Sequence, residues 1–178
     1  MHGVTRDVTE LRRLQAITTA QALSDPLTGI SNRRRFDQLL ESELERTALS
    51  GSVLAVAYID LDGLKQINDQ HGHATGDILL QEAARRLERT VDLPDMLARL
   101  GGDEYAIIFE PHLLSAVQLR QRISVLLDSP IIVSEKLTIQ CNASVGIADT
   151  TSAGHNPNDL VAAADRAMYD DKHRRQHR

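Results

Sequence analysis

Apolar positions along this chain follow two patterns: unbroken runs that predict buried strands, and helical spacing that predicts amphipathic helices. Residues 52–59 form the strongest strand pattern, because they are apolar without alternation and predict a strand covered on both faces. Further strands are predicted at residues 96–100, 105–109, 131–133 and 137–147. Helices are predicted at residues 10–23, 33–49, 64–70, 77–90, 113–127 and 158–173. This alternation predicts an α/β (α+β) fold in which helices cover a central sheet.

The segments between these elements are rich in turn residues. Residues 24–29 contain Pro26 and Gly29 and predict a turn, while residues 71–76 and 150–157 predict loops. Thr75 is expected to cap the helix that follows it. The strands at 131–133 and 137–147 are expected to pair with each other.

Composition narrows the class of protein. The length of 178 residues fits one compact domain with a short appended element. A net charge of −5 argues against general nucleic-acid binding, which needs excess Lys and Arg. The single cysteine, Cys141, lies in an apolar run and predicts a buried, inert thiol. No signal peptide is visible, and the longest apolar run, residues 53–59, is too short to span a bilayer. A cytoplasmic domain without a membrane segment is therefore expected.

Two acidic clusters stand next to predicted strands. Asp60 and Asp62 follow residues 52–59, and Asp103 and Glu104 occupy a predicted hairpin turn. Taken alone, the first cluster is more often a solvated turn and the second only a hairpin turn. If the two strands are neighbours, however, their carboxylates converge at one edge, where the negative charge is costly unless a cation binds. Oxygen ligands without a nearby cysteine favour Mg²⁺ or Mn²⁺, which suit in-line displacement at phosphorus.

The glycines of the predicted hairpin have a specific use. Gly101 and Gly102 permit positive φ angles and leave the backbone uncovered. A phosphate or a ribose can then lie close to the turn.

A second group of polar residues flanks the loop at 71–76. A carboxylate such as Asp77 can accept from the N1 and N2 hydrogens of guanine, and an amide such as Asn68 can meet the acceptor edge of the base. Such a pocket would reject adenine, because a buried carboxylate would be left unpaired. Alternatively, Asp77 only caps a helix. Lys65 and Lys172 are candidate phosphate contacts, although isolated lysines are more often solvated surface residues.

Six blocks in order carry a family resemblance. They are residues 25–34, 60–69, 72–77, 99–105, 144–148 and 167–169. On these blocks, the chain from Ser24 to Lys172 resembles the GGDEF-domain diguanylate cyclases, whose signature falls at residues 101–105. The resemblance implies an adenylyl-cyclase-like palm, a central antiparallel sheet surrounded by helices. It also implies that residues 25–178 form a catalytic domain.

The resemblance assigns roles to the polar residues. Asp60 and Asp103 would ligate divalent metal ions with the main-chain carbonyl of Leu61, and Glu104 would assist metal binding or stabilise transition-state charge. Asp103 or Glu104 would accept the proton of a ribose 3′-hydroxyl. The contacts to GTP would come from Lys65, Asn68, His73, Asp77 and Lys172.

The implied reaction joins two GTP molecules into cyclic di-GMP and releases pyrophosphate. Each domain would bind one GTP, so the enzyme would work as a homodimer in which each 3′-hydroxyl attacks the other substrate's α-phosphate. Retention of both acidic clusters favours this reading over a non-catalytic GTP-binding regulator. A cyclic di-GMP effector and a plain dimerisation module are less favoured.

Several positions depart from the family pattern. Tyr105 and Leu64 stand where phenylalanine is usual, which keeps apolar bulk. Gln176 replaces a usual arginine, and Arg174 or Arg175 is left as a possible substitute. Asp92 replaces the arginine of an Arg-x-x-Asp product site that ends here at Asp95, so weak or absent product inhibition is expected.

The first 24 residues resemble a different unit. Residues 3–10 are similar to the closing strand of a PAS sensor domain, and the predicted helix at 10–23 is similar to its linker helix. An upstream sensor domain in a longer chain is therefore expected.

Overall fold

The computed structural model describes residues 22–91, 93 and 96–177. The PAS-like residues 3–10 and both Asp92 and Asp95 of the predicted product site therefore lie outside the described residues. The described helices are α1 (Arg33–Ser50), α2 (Leu64–His71), α3 (His73–Leu87), α4 (Ala116–Leu127), α5 (Thr150–Ala153) and α6 (Pro157–Gln176). The described strands are β1 (Ser31–Asn32), β2 (Ala55–Asp62), β3 (Leu97–Gly101), β4 (Glu104–Phe109), β5 (Ile131–Ser134), β6 (Leu137–Ile139) and β7 (Asn142–Asp149).

Five strands form the central sheet in the order β1-β3-β4-β2-β7. Strand β2 pairs antiparallel with both β4 and β7, and β3 pairs antiparallel with β4. The two-residue strand β1 pairs parallel with β3. Strands β5 and β6 form a separate hairpin. The predicted α/β (α+β) class and the central antiparallel sheet surrounded by helices are confirmed.

Each face of the sheet has its own apolar core. Successive residues of β2 point to opposite faces. Ala57 and Ile59 belong to the cluster that includes Leu79 of α3 and Leu119 of α4. Val56 and Tyr58 belong to the cluster on the other face, which α1 and α6 cover. Because both faces are covered, β2 is apolar from Ala55 to Ile59, as the sequence predicts.

Four predictions about local structure are wrong. Strand β2 continues through Asp62 instead of ending at Ile59, since Asp60 and Asp62 both pair with β7. Helix α3 begins at His73, and Gly72, with φ of 83°, precedes it as the cap. Thr75 lies inside this helix, where its hydroxyl donates to the carbonyl of His71 (2.9 Å).

The other two errors concern the last third of the chain. Residues 150–153 are helical, because Asp149 caps them through a hydrogen bond from the Ser152 amide (2.9 Å). Residues 142–149 pair with β2 and do not continue the β5–β6 hairpin.

Cys141 is fully buried, as predicted. Burial raises the pKa of its thiol to about 12, so the thiolate form is disfavoured at neutral pH. Among the described helices, none combines the length and the apolar character needed to cross a membrane.

Candidate functional site

The ends of β2 and β4 bring the two acidic clusters together. In the antiparallel register Asp60 lies opposite Glu104. The Leu61 amide donates to the carbonyl oxygen of Asp103 (3.1 Å), which fixes the signature turn beside β2. Asp103 therefore lies at the same edge of the sheet as Asp60, as the sequence predicts.

Lys172 of α6 reaches the same edge. Its Nζ atom lies 2.7 Å from Oδ1 of Asp60. We call Asp60, Asp103 and Lys172 the carboxylate rim. Lys172 lies 112 residues after Asp60 in the chain, so no local sequence signal predicts this ion pair.

The electrostatics of the rim favour a bound cation. Burial raises the pKa of Asp60, and the charges of Asp103 and Asp62 raise it further, although the Lys172 hydrogen bond opposes them. Burial alone would lower the pKa of Lys172, but the hydrogen bond and charge of Asp60, with Asp103 and Asp62, raise it. One ammonium group therefore faces three carboxylates, and a divalent cation would relieve the excess negative charge.

The donor set fits a hard cation that shares its ligands with a substrate. Among the described side chains, no three His, Cys, Asp or Glu residues converge closely enough to hold a metal ion by themselves. Two carboxylates and the main-chain carbonyl of Leu61 would leave positions for water and for phosphate oxygens. This incomplete protein ligation is typical of Mg²⁺ sites that use nucleotide phosphates.

The signature turn is held by a network that the sequence reasoning did not identify. Gly101 and Gly102 have φ angles of 148° and 52°, which glycine adopts readily. Arg99 donates to the carbonyl of Gly102 from Nε (3.0 Å) and Nη2 (2.7 Å), and its Nη1 lies 3.0 Å from Oδ1 of Asp25. Burial opposes ionisation of Asp25, but hydrogen bonds from Thr28 and Arg99 lower its pKa overall. Asp25 and Arg99 both lie in the family blocks, which was the available signal.

Glu104 has different neighbours from Asp103. It lies near the hydroxyl of Tyr58, which is buried on the same face of the sheet beside Arg33 of α1. Burial, followed by the charge of Glu104, raises the pKa of Tyr58 to about 12. A cavity of about 510 Å³ opens over Tyr58 between α1 and α6 and contains none of the predicted nucleotide contacts.

The candidate base pocket lies between α2 and α3. The side-chain oxygen of Asn68 is buried and has no hydrogen-bond partner among the described residues. A Cβ atom on Gly76 would lie 2.0 Å from this oxygen, so only glycine leaves room for the amide. A buried acceptor without a partner is costly. The arrangement therefore fits a ligand that supplies a hydrogen-bond donor.

The remaining predicted contacts are at the surface around this pocket. His73 is the first residue of α3, Asp77 lies one turn later, and Lys65 is near the start of α2; all three are exposed. Asp77 does not cap α3, because the helix begins four residues before it. The structure thus separates the predicted residues into a base pocket and the carboxylate rim.

The two arginines near Gln176 are engaged elsewhere. Nε of Arg175 lies 3.1 Å from Oδ2 of Asp171, and Nε of Arg174 donates to the carbonyl of Asp170 (3.2 Å). Lys172 is therefore the described cation of α6 that reaches the rim.

Comparison with known sequences gives a consistent family match. The family described as "Diguanylate cyclase, GGDEF domain" matches residues 22–178. The bifunctional diguanylate cyclase/cyclic di-GMP phosphodiesterase MucR of Pseudomonas aeruginosa is 35% identical over 90% of this chain and 24% of its own length. The diguanylate cyclase TpbB of the same species is 37% identical over 84% of this chain and 35% of its own length. The chain thus spans about a fifth to a third of the curated relatives that it matches.

Solved structures agree with the sequence match. The coiled coil and GGDEF domain of DgcB from Caulobacter crescentus, in complex with c-di-GMP, superposes with a TM-score of 0.87 at 28% identity, covering 95% of this chain and 90% of that chain. A sensory box/GGDEF family protein from Caulobacter crescentus superposes with a TM-score of 0.77 at 37% identity, covering 85% of this chain and 98% of that chain. The palm fold expected from the sequence is confirmed by these neighbours.

Proposed function

The chain belongs to the GGDEF family of diguanylate cyclase domains, and on that basis we propose that it condenses two GTP molecules into cyclic di-GMP and pyrophosphate. The observation that carries the proposal is the meeting of Asp60, Asp103 and Lys172 at one edge of the sheet. Two carboxylates and an ammonium group at that spacing suit the metal-bound phosphates of a nucleotide.

Mg²⁺ or Mn²⁺ would be held by Asp60, Asp103 and the carbonyl of Leu61, with Glu104 assisting. When bound, such ions supply Lewis-acid stabilisation of charge on the phosphates. Lys172 would bind phosphate oxygens from the other side of the rim, because its ammonium group already lies among the acidic side chains. Gly101 and Gly102 would let the ribose and phosphates approach the backbone of the turn.

Guanine would be bound in the pocket between α2 and α3. Asn68 offers a buried oxygen that needs a hydrogen-bond donor, and Asp77 offers an exposed carboxylate beside the same pocket. His73 and Lys65 would contact the nucleotide from the exposed side. Adenine would be rejected, since it lacks the N1 and N2 hydrogens that these acceptors need.

Catalysis would require two copies of the domain. Each would hold one GTP, so that the 3′-hydroxyl of one substrate faces the α-phosphate of the other. Asp103 or Glu104 would accept the hydroxyl proton as the new phosphodiester bond forms and pyrophosphate leaves. Holding both substrates in this geometry supplies much of the acceleration.

Two finer features belong to the same proposal. Product inhibition through the Arg-x-x-Asp position would be weak, because the carboxylate of Asp92 repels an anionic product where an arginine would pair with it. An upstream sensor domain in a longer chain would control how two such domains meet, in keeping with the PAS-like residues 3–10.

The test is turnover. Purified protein is incubated with GTP and Mg²⁺ over a range of protein concentrations, and nucleotides are separated by chromatography. We expect cyclic di-GMP, with activity per molecule rising with protein concentration, and none from Asp103→Asn. Binding of GTP without product would instead favour a non-catalytic GTP-binding regulator.

A further inference from the structure

One carboxylate, that of Asp171, ties the end of α6 to the open edge of the central sheet. Strand β7 is the outer strand of that sheet, next to β2. The amide of Val145 in β7 donates to Oδ2 of Asp171 (3.1 Å), and the carbonyl of Val145 accepts from Nη1 of Arg120 in α4. Both main-chain polar groups of this edge residue therefore have side-chain partners, as their burial requires, since Val145 belongs to the core.

The same carboxylate also meets two arginines. Nε of Arg175 lies 3.1 Å from Oδ2 of Asp171, one helical turn away, and Nη1 of Arg120 lies 3.6 Å from it. Asp171 thus joins β7, α4 and the last turns of α6. We call Asp171, Val145, Arg120 and Arg175 the edge latch.

The edge latch affects Lys172, which follows Asp171 in α6. Successive residues of a helix are about 100° apart around its axis. The buried Met168 is the last residue of α6 in the core, so fixing Asp171 against the edge of β7 holds the following turn in the rotation that directs Lys172 at Asp60, 2.7 Å away. Resting on the function proposed above, we propose that Asp171 is a positioning residue that holds Lys172 at the carboxylate rim to bind nucleotide phosphates.

The edge latch also indicates the role of Arg175. This side chain lies with Arg120 and Ser124 beside β7, away from the base pocket, and its Nε is bonded to Asp171. Arg175 is therefore a part of the latch and does not replace the phosphate-binding arginine that the family has at Gln176.

The test measures nucleotide binding, which does not require turnover. The probe is guanosine 5′-(α,β-methylene)triphosphate with Mg²⁺, titrated by calorimetry. Asp171→Ala and Lys172→Ala should each weaken binding about 10-fold, the typical loss for a charged hydrogen bond. The double variant should bind no more weakly than Lys172→Ala, because Asp171 acts through that lysine. A purely structural role would instead add a second loss to the first.

Matched variants complete the design. Asp170→Ala removes the neighbouring exposed carboxylate of the same helix and should change neither affinity nor Tm. Arg175→Ala should weaken binding in the wild-type background but not in the Asp171→Ala background, whereas a phosphate-binding Arg175 would lower the affinity in both. Should Asp171→Ala fail to fold, Asp171→Asn keeps an acceptor for Val145 and removes the charge.

The outcomes separate the two proposals. Unchanged binding by Asp171→Ala, or a further 10-fold loss in the double variant, overturns the edge latch even if the wild type makes cyclic di-GMP. A wild type that binds the analogue but forms no cyclic di-GMP refutes the proposed function, while the binding cycle still decides the role of Asp171.

Discussion

Substituting Gly76 by alanine should weaken guanine-nucleotide binding without destabilising the domain. Gly76 lies buried in α3 against the side chain of Asn68. A Cβ atom at this position would lie 2.0 Å from Oδ1 and 2.9 Å from Cγ of Asn68, closer than van der Waals contact allows. The obstructing group is the end of a side chain, so it can rotate away. The amide would then leave the base pocket.

Gly76→Ala should weaken nucleotide binding but leave the stability of the domain unchanged or slightly higher. Losing one or two hydrogen bonds to guanine costs about 1 kcal/mol each, or about 5- to 30-fold in affinity. The folded domain loses little, because the Asn68 oxygen has no partner to give up. Alanine is also favoured over glycine inside a helix by about 1 kcal/mol. The Tm should therefore stay constant or rise by about 2–4 °C.

Calorimetric titration with the methylene analogue and Mg²⁺ measures the affinity, and thermal unfolding measures the Tm. Asn68→Ala is the matched control, and Gly76→Ala should add no further loss to it. Wild-type affinity in Gly76→Ala would refute the placement of guanine beside Asn68. A fall of several degrees in Tm would show that Gly76 is needed for packing and that the argument from a movable side chain is wrong.

Three other substitutions test interactions that stabilise the fold. Gly146→Ala should lower the Tm by more than about 4 °C, since its Cβ would lie 2.0 Å and 2.1 Å from the backbone of α6, which cannot rotate away. Tyr105→Phe should lower the free energy of unfolding by about 1 kcal/mol, because the buried hydroxyl of Tyr105 donates to the carbonyl of Leu80 (2.9 Å). Hydrogen bonding to Arg85 lowers the pKa of Glu82 to about 2 from 4.5, so its stabilising effect is present above pH 4.5 and is lost as the pH falls toward 2. The Tm difference between wild type and Glu82→Gln, measured across pH, should shrink over that range.

The sequence predicts the parts of this fold that depend on local pattern. The apolar run of β2 and the helical spacing of α1 and α6 determine these elements because each buries a continuous face. Boundaries were less predictable. The sequence predicts a loop from Asp60 onward, yet Asp60 and Asp62 both stay in β2, because pairing with Ser144 and Asn142 of β7 holds them there.

The candidate site also contains features that the sequence predicts and features that it does not. The convergence of Asp60 and Asp103 follows from two acidic turns and the pairing of neighbouring strands, and it was predictable. Lys172 was a candidate phosphate contact that the resemblance supported, but its partner Asp60 was not foreseen, because 112 residues separate them. The hydrogen bond from the Val145 amide to Asp171 was also missed, since a main-chain group at the edge of a sheet leaves no signal in the sequence.

Metal binding tests the central claim most directly. Mn²⁺ is titrated into the protein in the presence of the methylene analogue, and free Mn²⁺ is measured by electron paramagnetic resonance. The wild type should bind Mn²⁺, and both Asp60→Asn and Asp103→Asn should lose most of that binding while keeping a folded Tm. Unchanged Mn²⁺ affinity in both variants would contradict a metal site between the ends of β2 and β4.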